Sequence, residues 1–155
     1  MTTPDTAGRP IARLSRRWTI AAAHRLHTDE YDTERNLAVY GKCNNLHGHG
    51  HNYTIEVTFA GPVDEVTGMV TSLADVDRFA QTELIDRFDH QNLNLLPEFA
   101  ALVPTTENLA CVIEKLFRSY TLARVERVHI EETRNNTIDL LTDAGRRALP
   151  AARER

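Results

Sequence analysis

Cysteine is scarce in this chain, with only Cys43 and Cys111 among 155 residues. That excludes a fold stapled by disulfides and suggests thiols kept reduced. Aromatic residues make up 6% of the sequence, with a single tryptophan. No apolar stretch approaches the ~20 residues needed to span a bilayer. Positive charge is not in excess either. Eighteen Lys and Arg face twenty-two Asp and Glu, for a net charge of −4. This argues against a general binder of nucleic acid or membrane surfaces. Residues 1–10 contain no apolar signal core, so a cytoplasmic protein is expected. No internal repeat at solenoid periods is visible.

What remains is ordinary for one soluble domain: 41% hydrophobic and 26% charged residues. A globule of this size buries roughly 70% of its unfolded surface and needs no staples. A flexible arm is expected over 1–11, a folded domain over 12–142 and a basic tail over 143–155. From Ala12 to His24, Leu14, Trp18, Ile20, Ala22 and His24 share one parity, which predicts a strand interrupted on its apolar side by Arg16. The segment from His27 to Leu46 is polar and irregular, and a loop of that length is often functional. Tyr53, Ile55, Val57 and Phe59 then alternate with polar residues, the clearest strand signal in the chain. Its inward parity extends back to His51 and His49, and Gly50 gives the backbone room to bend.

A short strand is expected near Met69 to Thr71. A helix from Ala74 to about His90 follows, with Ser72 as a capping signal and Val76, Phe79, Ala80, Leu84 and Phe88 as its stripe. Gln91 to Pro104 reads as loop. A second helix starts near Thr106, and two strands meet at a turn around Arg134 to Asn136. Cys111 falls in the second helix and reads as a packing residue. Paired strands with intervening helices predict an α+β fold, with the helices on one face of an antiparallel sheet.

Chemistry concentrates in "CNNLHGHGHNY" (Cys43 to Tyr53). Zinc accepts neutral imidazoles, and a catalytic site keeps three protein ligands and one open position. His49 and His51 lie two apart on one strand face, and His24 ends another strand. If the two strands pair as a hairpin, the three imidazoles meet. "HGHGH" offers a second register through His47. The pair at 49 and 51 is preferred because it adjoins the regular strand. His27 and His129 have no evident ligand partners and read as ordinary surface or hydrogen-bonded residues.

At these residues the sequence resembles the 6-pyruvoyl-tetrahydropterin synthases and the related 6-carboxytetrahydropterin synthases. "AAAHRLH", "GKCNNLHGHGHNY", "VTGMV", "FDHQNLN", "PTTENLA" and "IEETRNN" occur in order. The resemblance implies the tunnelling fold: a four-stranded antiparallel sheet with two helices on one face, assembled as a homohexamer with active sites at subunit interfaces. It implies zinc held by His24, His49 and His51, and 7,8-dihydroneopterin triphosphate as substrate. It also implies Cys43 as catalytic cysteine and Asp89 with His90 as a catalytic pair. Glu132 would anchor the pterin, and Thr105, Thr106 and Glu107 would line its pocket.

Several alternatives stay open at the level of sequence. Asp89 and His90 also fit a plain helix C-terminus. Glu131 replaces Glu132 as the inward carboxylate if the strand register shifts. One of Thr105 and Thr106 is expected to be an N-cap. The pyruvoyl enzymes place five residues between the cysteine and HGH, and the carboxy enzymes three; Cys43 satisfies both counts. The expected activity is release of triphosphate to give 6-pyruvoyl-tetrahydropterin. The carboxy product of the deazapurine route, a three-histidine zinc hydrolase and a non-enzymatic zinc module are the competitors.

Overall fold

The computed structural model describes residues 8–147. Residues 1–7 and 148–155, which belong to the expected arm and tail, lie outside the described residues. The core is a hairpin of two long strands, β1 (Ile11–His24) and β2 (His49–Pro62). They pair antiparallel along their whole length, with Ile20 opposite Tyr53 and His24 opposite His49. Even-numbered residues of β1 and odd-numbered residues of β2 share one face, as the alternating sequence demands. Ile20, Tyr53, Ile55, Val57 and Phe59 are fully buried there. Arg16 sits on the same face but is matched: its guanidinium donates twice to Asp77, at 2.9 and 2.6 Å.

β4 (Arg124–Thr133) pairs antiparallel with β2, and β5 (Asn136–Leu141) with β4. Over this sheet pack α2 (Leu73–Ala80) and α4 (Thr106–Phe117). Val76 and Ala80 from α2 and Leu109, Ile113 and Phe117 from α4 join the strand residues in one apolar cluster. α2 starts at Ser72, whose hydroxyl accepts from the Asp75 amide. It runs on through a π turn (Gln81–Ile85) into α3 (Asp86–Phe88). Leu84 and Phe88 keep the apolar stripe directed at the core through this change of pitch. Among the described residues, no helix is long and apolar enough to cross a membrane.

Several sequence expectations need correction. The sheet has five strands, ordered β3-β1-β2-β4-β5, and is mixed rather than purely antiparallel with four strands. The extra member, β3 (Gln91–Asn92), is two residues long and parallel to β1. Backbone geometry makes it. The helix ends at Phe88, Asp89 is extended, and His90 turns through a left-handed conformation at φ 57. The His90 amide then donates to the Ala21 carbonyl at 2.6 Å, which aligns the next residues with β1.

The segment read as irregular contains α1 (Thr33–Tyr40) and a 3-10 turn (Gly41–Asn44). α1 has no apolar stripe: Leu37 and Val39 are exposed. It is held instead by buried Asn36, whose amide donates to the carbonyls of Thr28, Tyr31 and Asp32. Met69 to Thr71 forms no strand. Cys111 points to solvent and not into the core. β1 begins at Ile11, inside the expected arm, and α5 (Asp143–Arg147) occupies the start of the expected tail.

α5 is fixed through Gly145, which packs so closely on β4 that a Cβ would lie 2.0 Å from the Glu126 carbonyl oxygen. The Glu126 side chain, 4% exposed, lies between Arg13 and Arg124 at 2.6 Å each. Burial works against its charge, but the two guanidinium bonds win and hold its pKa below the ordinary 4.5. Its stabilising effect is therefore complete above the ordinary carboxylate range and is lost as pH falls through the lowered folded value. Glu126→Gln should cost about 1–3 kcal/mol at pH 7. The difference from wild type should shrink steadily in unfolding curves taken below about pH 4.

Candidate active site

The long hairpin sets the site. Its register places His24, the last residue of β1, opposite His49, the first of β2, with His51 opposite Ala22. His49 and His51 share the core-facing parity, so the three imidazoles converge. Their ring centroids are 4.7 to 5.0 Å apart. One nitrogen from each forms a group whose members all lie within 4.8 Å of one another, an arrangement able to hold a metal ion. His24 Nε2 and His49 Nε2 are 3.1 Å apart. Two nitrogens on one tetrahedral zinc would be separated by about 3.3 Å. His51 Nε2 is buried without a hydrogen-bond partner. A buried polar atom left unmatched is costly, and a cation at the centre of the group would satisfy it. The donor set and the orphaned nitrogen fit a divalent cation.

The tautomer of His24 follows from its surroundings. Its Nδ1 lies 2.8 Å from the Pro104 carbonyl oxygen, which can only accept. Nδ1 therefore carries the proton, and Nε2 offers its lone pair to the centre of the group. The Tyr53 hydroxyl stands 3.2 Å from the same Nδ1. Burial pushes the pKa of His24 down and does the same for His51. Both rings are thereby kept neutral, the form a metal requires.

His47 takes no part. It is exposed, and its amide donates to the Asn45 side chain. The glycine that matters in "HGHGH" is Gly48 rather than Gly50. Gly48 has φ +69, and a Cβ there would stand 2.8 Å from the His24 carbonyl oxygen. A Cβ at Gly50 would meet only the Ala22 carbonyl oxygen, at an ordinary 3.6 Å.

Glu132 faces this cluster from β4. Its Oε1 is 3.8 Å from Nε2 of both His24 and His51. Thr106, in the first turn of α4, donates to Oε1 at 2.7 Å, and Asn136 of β5 donates to Oε2 at 2.5 Å. Burial alone would raise its pKa, but those two donors and the nearby imidazoles hold it below the ordinary value, so it stays charged. Glu131 instead pairs across the sheet with Thr54 and Thr137. Thr105 is the N-cap of α4, accepting from the Asn108 amide at 3.2 Å. Glu107 is exposed on the first turn of α4.

Cys43 lies half-buried in the 3-10 turn. Burial first, and Glu132 second, push its thiol pKa up. Asp89 and His90 form a unit of their own. His90 Nδ1 is 2.9 Å from Asp89 Oδ2, and Asp89 Oδ1 accepts from the Ala21 amide at 2.8 Å. The Ala21 amide and then His90 lower the Asp89 pKa. The His90 side chain is 82% exposed. It shares an open hollow with His51, Asn52 and Gln91.

The family model described as "6-pyruvoyl tetrahydropterin synthase" matches residues 13–142. The chain belongs to the 6-pyruvoyl tetrahydropterin synthase family. It is similar to the 6-pyruvoyl tetrahydrobiopterin synthase of Drosophila melanogaster, at 46% identity over 83% of this chain and 79% of the relative. The Homo sapiens 6-pyruvoyl tetrahydrobiopterin synthase is 40% identical over 89% of this chain and 97% of its own. The solved 6-pyruvoyl tetrahydropterin synthase of Caenorhabditis elegans superposes with a TM-score of 0.83 at 36% identity, over 87% of this chain and 98% of that one.

In this member of the synthase family, sequence reasoning named the residues that converge around the imidazoles but missed those that orient them. Asn136 ends the "IEETRNN" segment, where its type alone indicates no role. Pro104 acts through its carbonyl, which no motif reveals. Tyr53 read only as a core aromatic. The contrast between the two glycines is testable. Gly48→Ala should lose about 1–3 kcal/mol of stability and weaken any uptake of a divalent cation by the three imidazoles. Gly50→Ala should stay close to wild type in both thermal unfolding and metal analysis.

Proposed function

We infer that this chain converts 7,8-dihydroneopterin triphosphate to 6-pyruvoyl-tetrahydropterin with release of triphosphate. The observation that carries the reading is the neutral three-imidazole group, with the orphaned His51 Nε2, standing beside a charged and anchored Glu132. His24, His49 and His51 would hold zinc. As a Lewis acid, zinc would make the side-chain hydroxyls of the substrate more acidic. Glu132 would take the pterin ring by accepting from its 2-amino and N3–H groups. Thr106 and Asn136 keep the carboxylate ionised and aimed for that task. Thr105 and Glu107 flank the same end of α4 and would line the pocket.

Cys43 serves as the general base that removes a carbon-bound proton. The half-buried thiol is held toward its protonated form by its surroundings, so a neighbouring cation is needed to favour the thiolate. This links the metal group to the base without a bond between them. His90, oriented by Asp89 through Nδ1, leaves its Nε2 free to pass protons. Its exposure in the single chain agrees with an active site completed between subunits of a homohexamer, His90 meeting substrate held by a neighbouring copy. The reaction balances internally. The dihydro ring gains two hydrogens that the side chain loses, and loss of triphosphate leaves the diketo group, so no external redox cofactor is required. A cytoplasmic location accords with these thiols remaining reduced.

Incubation with 7,8-dihydroneopterin triphosphate should release triphosphate and form the diketo pterin. Acetaldehyde with a 6-carboxypterin would assign the carboxy activity instead, and absence of turnover with bound zinc would leave a zinc-binding module. Cys43→Ala should abolish turnover with zinc content unchanged. Loss of zinc in that variant would make the sulfur a ligand and overturn its role as base.

A further inference from the structure

The turn that carries Cys43 is tied to the three residues after His24 by an unusually dense set of polar contacts. The Leu26 amide donates to the Cys43 carbonyl at 2.8 Å. The Asn44 side-chain amide donates to the Leu26 carbonyl at 2.7 Å and approaches His27 Nδ1 at 3.0 Å. Arg25 Nε donates to the Asn44 carbonyl at 3.1 Å, and Arg25 Nη2 lies 3.2 Å from the same His27 Nδ1. The backbone of Arg25 is itself clamped by Asn94, whose side chain accepts from its amide at 2.7 Å and donates to its carbonyl at 2.8 Å.

The chemistry of these groups fixes the tautomer of His27. A guanidinium has no acceptor, so Arg25 can only donate to Nδ1. The Asn44 amide nitrogen donates as well. His27 Nδ1 is therefore an acceptor for two converging donors, and its ring proton sits on Nε2, 3.5 Å from Asp29 Oδ1. Without an acceptor at that point, the Arg25 and Asn44 donors would have no common partner. A partly exposed histidine has become the knot of the loop.

We propose that His27 is a positioning residue for Cys43: its Nδ1 gathers Arg25 and Asn44 into a clasp that fixes the Cys43 turn against the strand end bearing His24. The clasp spans the base and the metal group, whose relative placement the chemistry depends on. A displacement of the order of 1 Å in such a pair can cost about 100-fold in rate. This inference rests on the reading of Cys43 as the base.

The test uses full-length protein carrying Cys111→Ser, because Cys111 is exposed and would also be alkylated. The His27 side chain is 30% exposed, so its replacement is compatible with folding. Thermal unfolding and zinc content would verify that. His27→Ala should lower kcat on 7,8-dihydroneopterin triphosphate about tenfold or more, with KM within about twofold of wild type and zinc content unchanged. Iodoacetamide should alkylate Cys43 several-fold faster as the turn loosens. His27→Asn, whose side-chain oxygen reaches about as far as Nδ1, should restore most of both values. Wild-type kcat and alkylation rate in His27→Ala would overturn the proposal. So would a His27→Asn variant as impaired as His27→Ala, since that would assign the effect to ring packing. Alkylation reports the setting of the thiol whether or not it is the base. Turnover surviving in Cys43→Ala would refute the base without touching this result.

Discussion

The pairing register of β1 with β2 is the constraint on which the rest of the molecule depends. Side chains alternate faces along a strand, so a slip of one residue would invert one strand relative to the other. His24 would then lose His49 and His51, and Tyr53 would lose Ile20 as its core neighbour. The apolar alternation from Tyr53 to Phe59 makes that slip prohibitively costly, because it would expose four fully buried side chains. The same hydrophobic pattern that builds the core thus aligns the imidazoles at its end. Chemistry is placed here by packing, at the end of the same strand pair in which the packing is decided.

Around that aligned group the electrostatics are arranged in opposite senses. Burial keeps His24 and His51 uncharged, while directed donors keep Glu132 charged in spite of burial. Among the described residues, no such donor acts on Cys43, and both its burial and Glu132 favour the thiol. Neutral imidazoles and a charged carboxylate thus stand together, while the Cys43 thiol is left in its protonated form. Fixing the position of the thiol and adjusting its charge are separate tasks, and they fall to different neighbours. The clasp around His27 sets the position. On the proposed function, the charge would come from a cation held by the imidazoles.

The features legible in the sequence are those with a period or a spacing. The strand alternations, the stripe of Val76, Ala80, Leu84 and Phe88 and the shared face of His49 and His51 follow from residue type at fixed intervals, and His24 joins that pair once the two strands form a hairpin. Glu132 follows the same alternation, sharing parity with the buried Val128 and Ile130. The unread parts have no such repeat. α1 is held by one buried asparagine bonding to three carbonyls, and a single polar residue in a polar stretch leaves no trace in a periodicity. β3 exists because His90 adopts a left-handed turn, a backbone event without a glycine to announce it. Cys111 sits between two buried residues on α4 and reads as core from composition, but the helical phase turns it outward. Of the orienting groups of the site, Pro104 acts through a backbone atom, the Arg25–His27–Asn44 set spans separate segments, and Asn136 reaches Glu132 across the tight turn between β4 and β5. Only the folded geometry brings them together.

All three imidazoles come from one hairpin, yet the two strands that bring them are joined by a long excursion: His24 and His49 are 25 positions apart. Closing so long a loop is entropically unfavourable for the unfolded chain. An ion gripped by both ends would act as a clip on that loop, closing it at the point where Pro104 and Glu132 reach the same imidazoles.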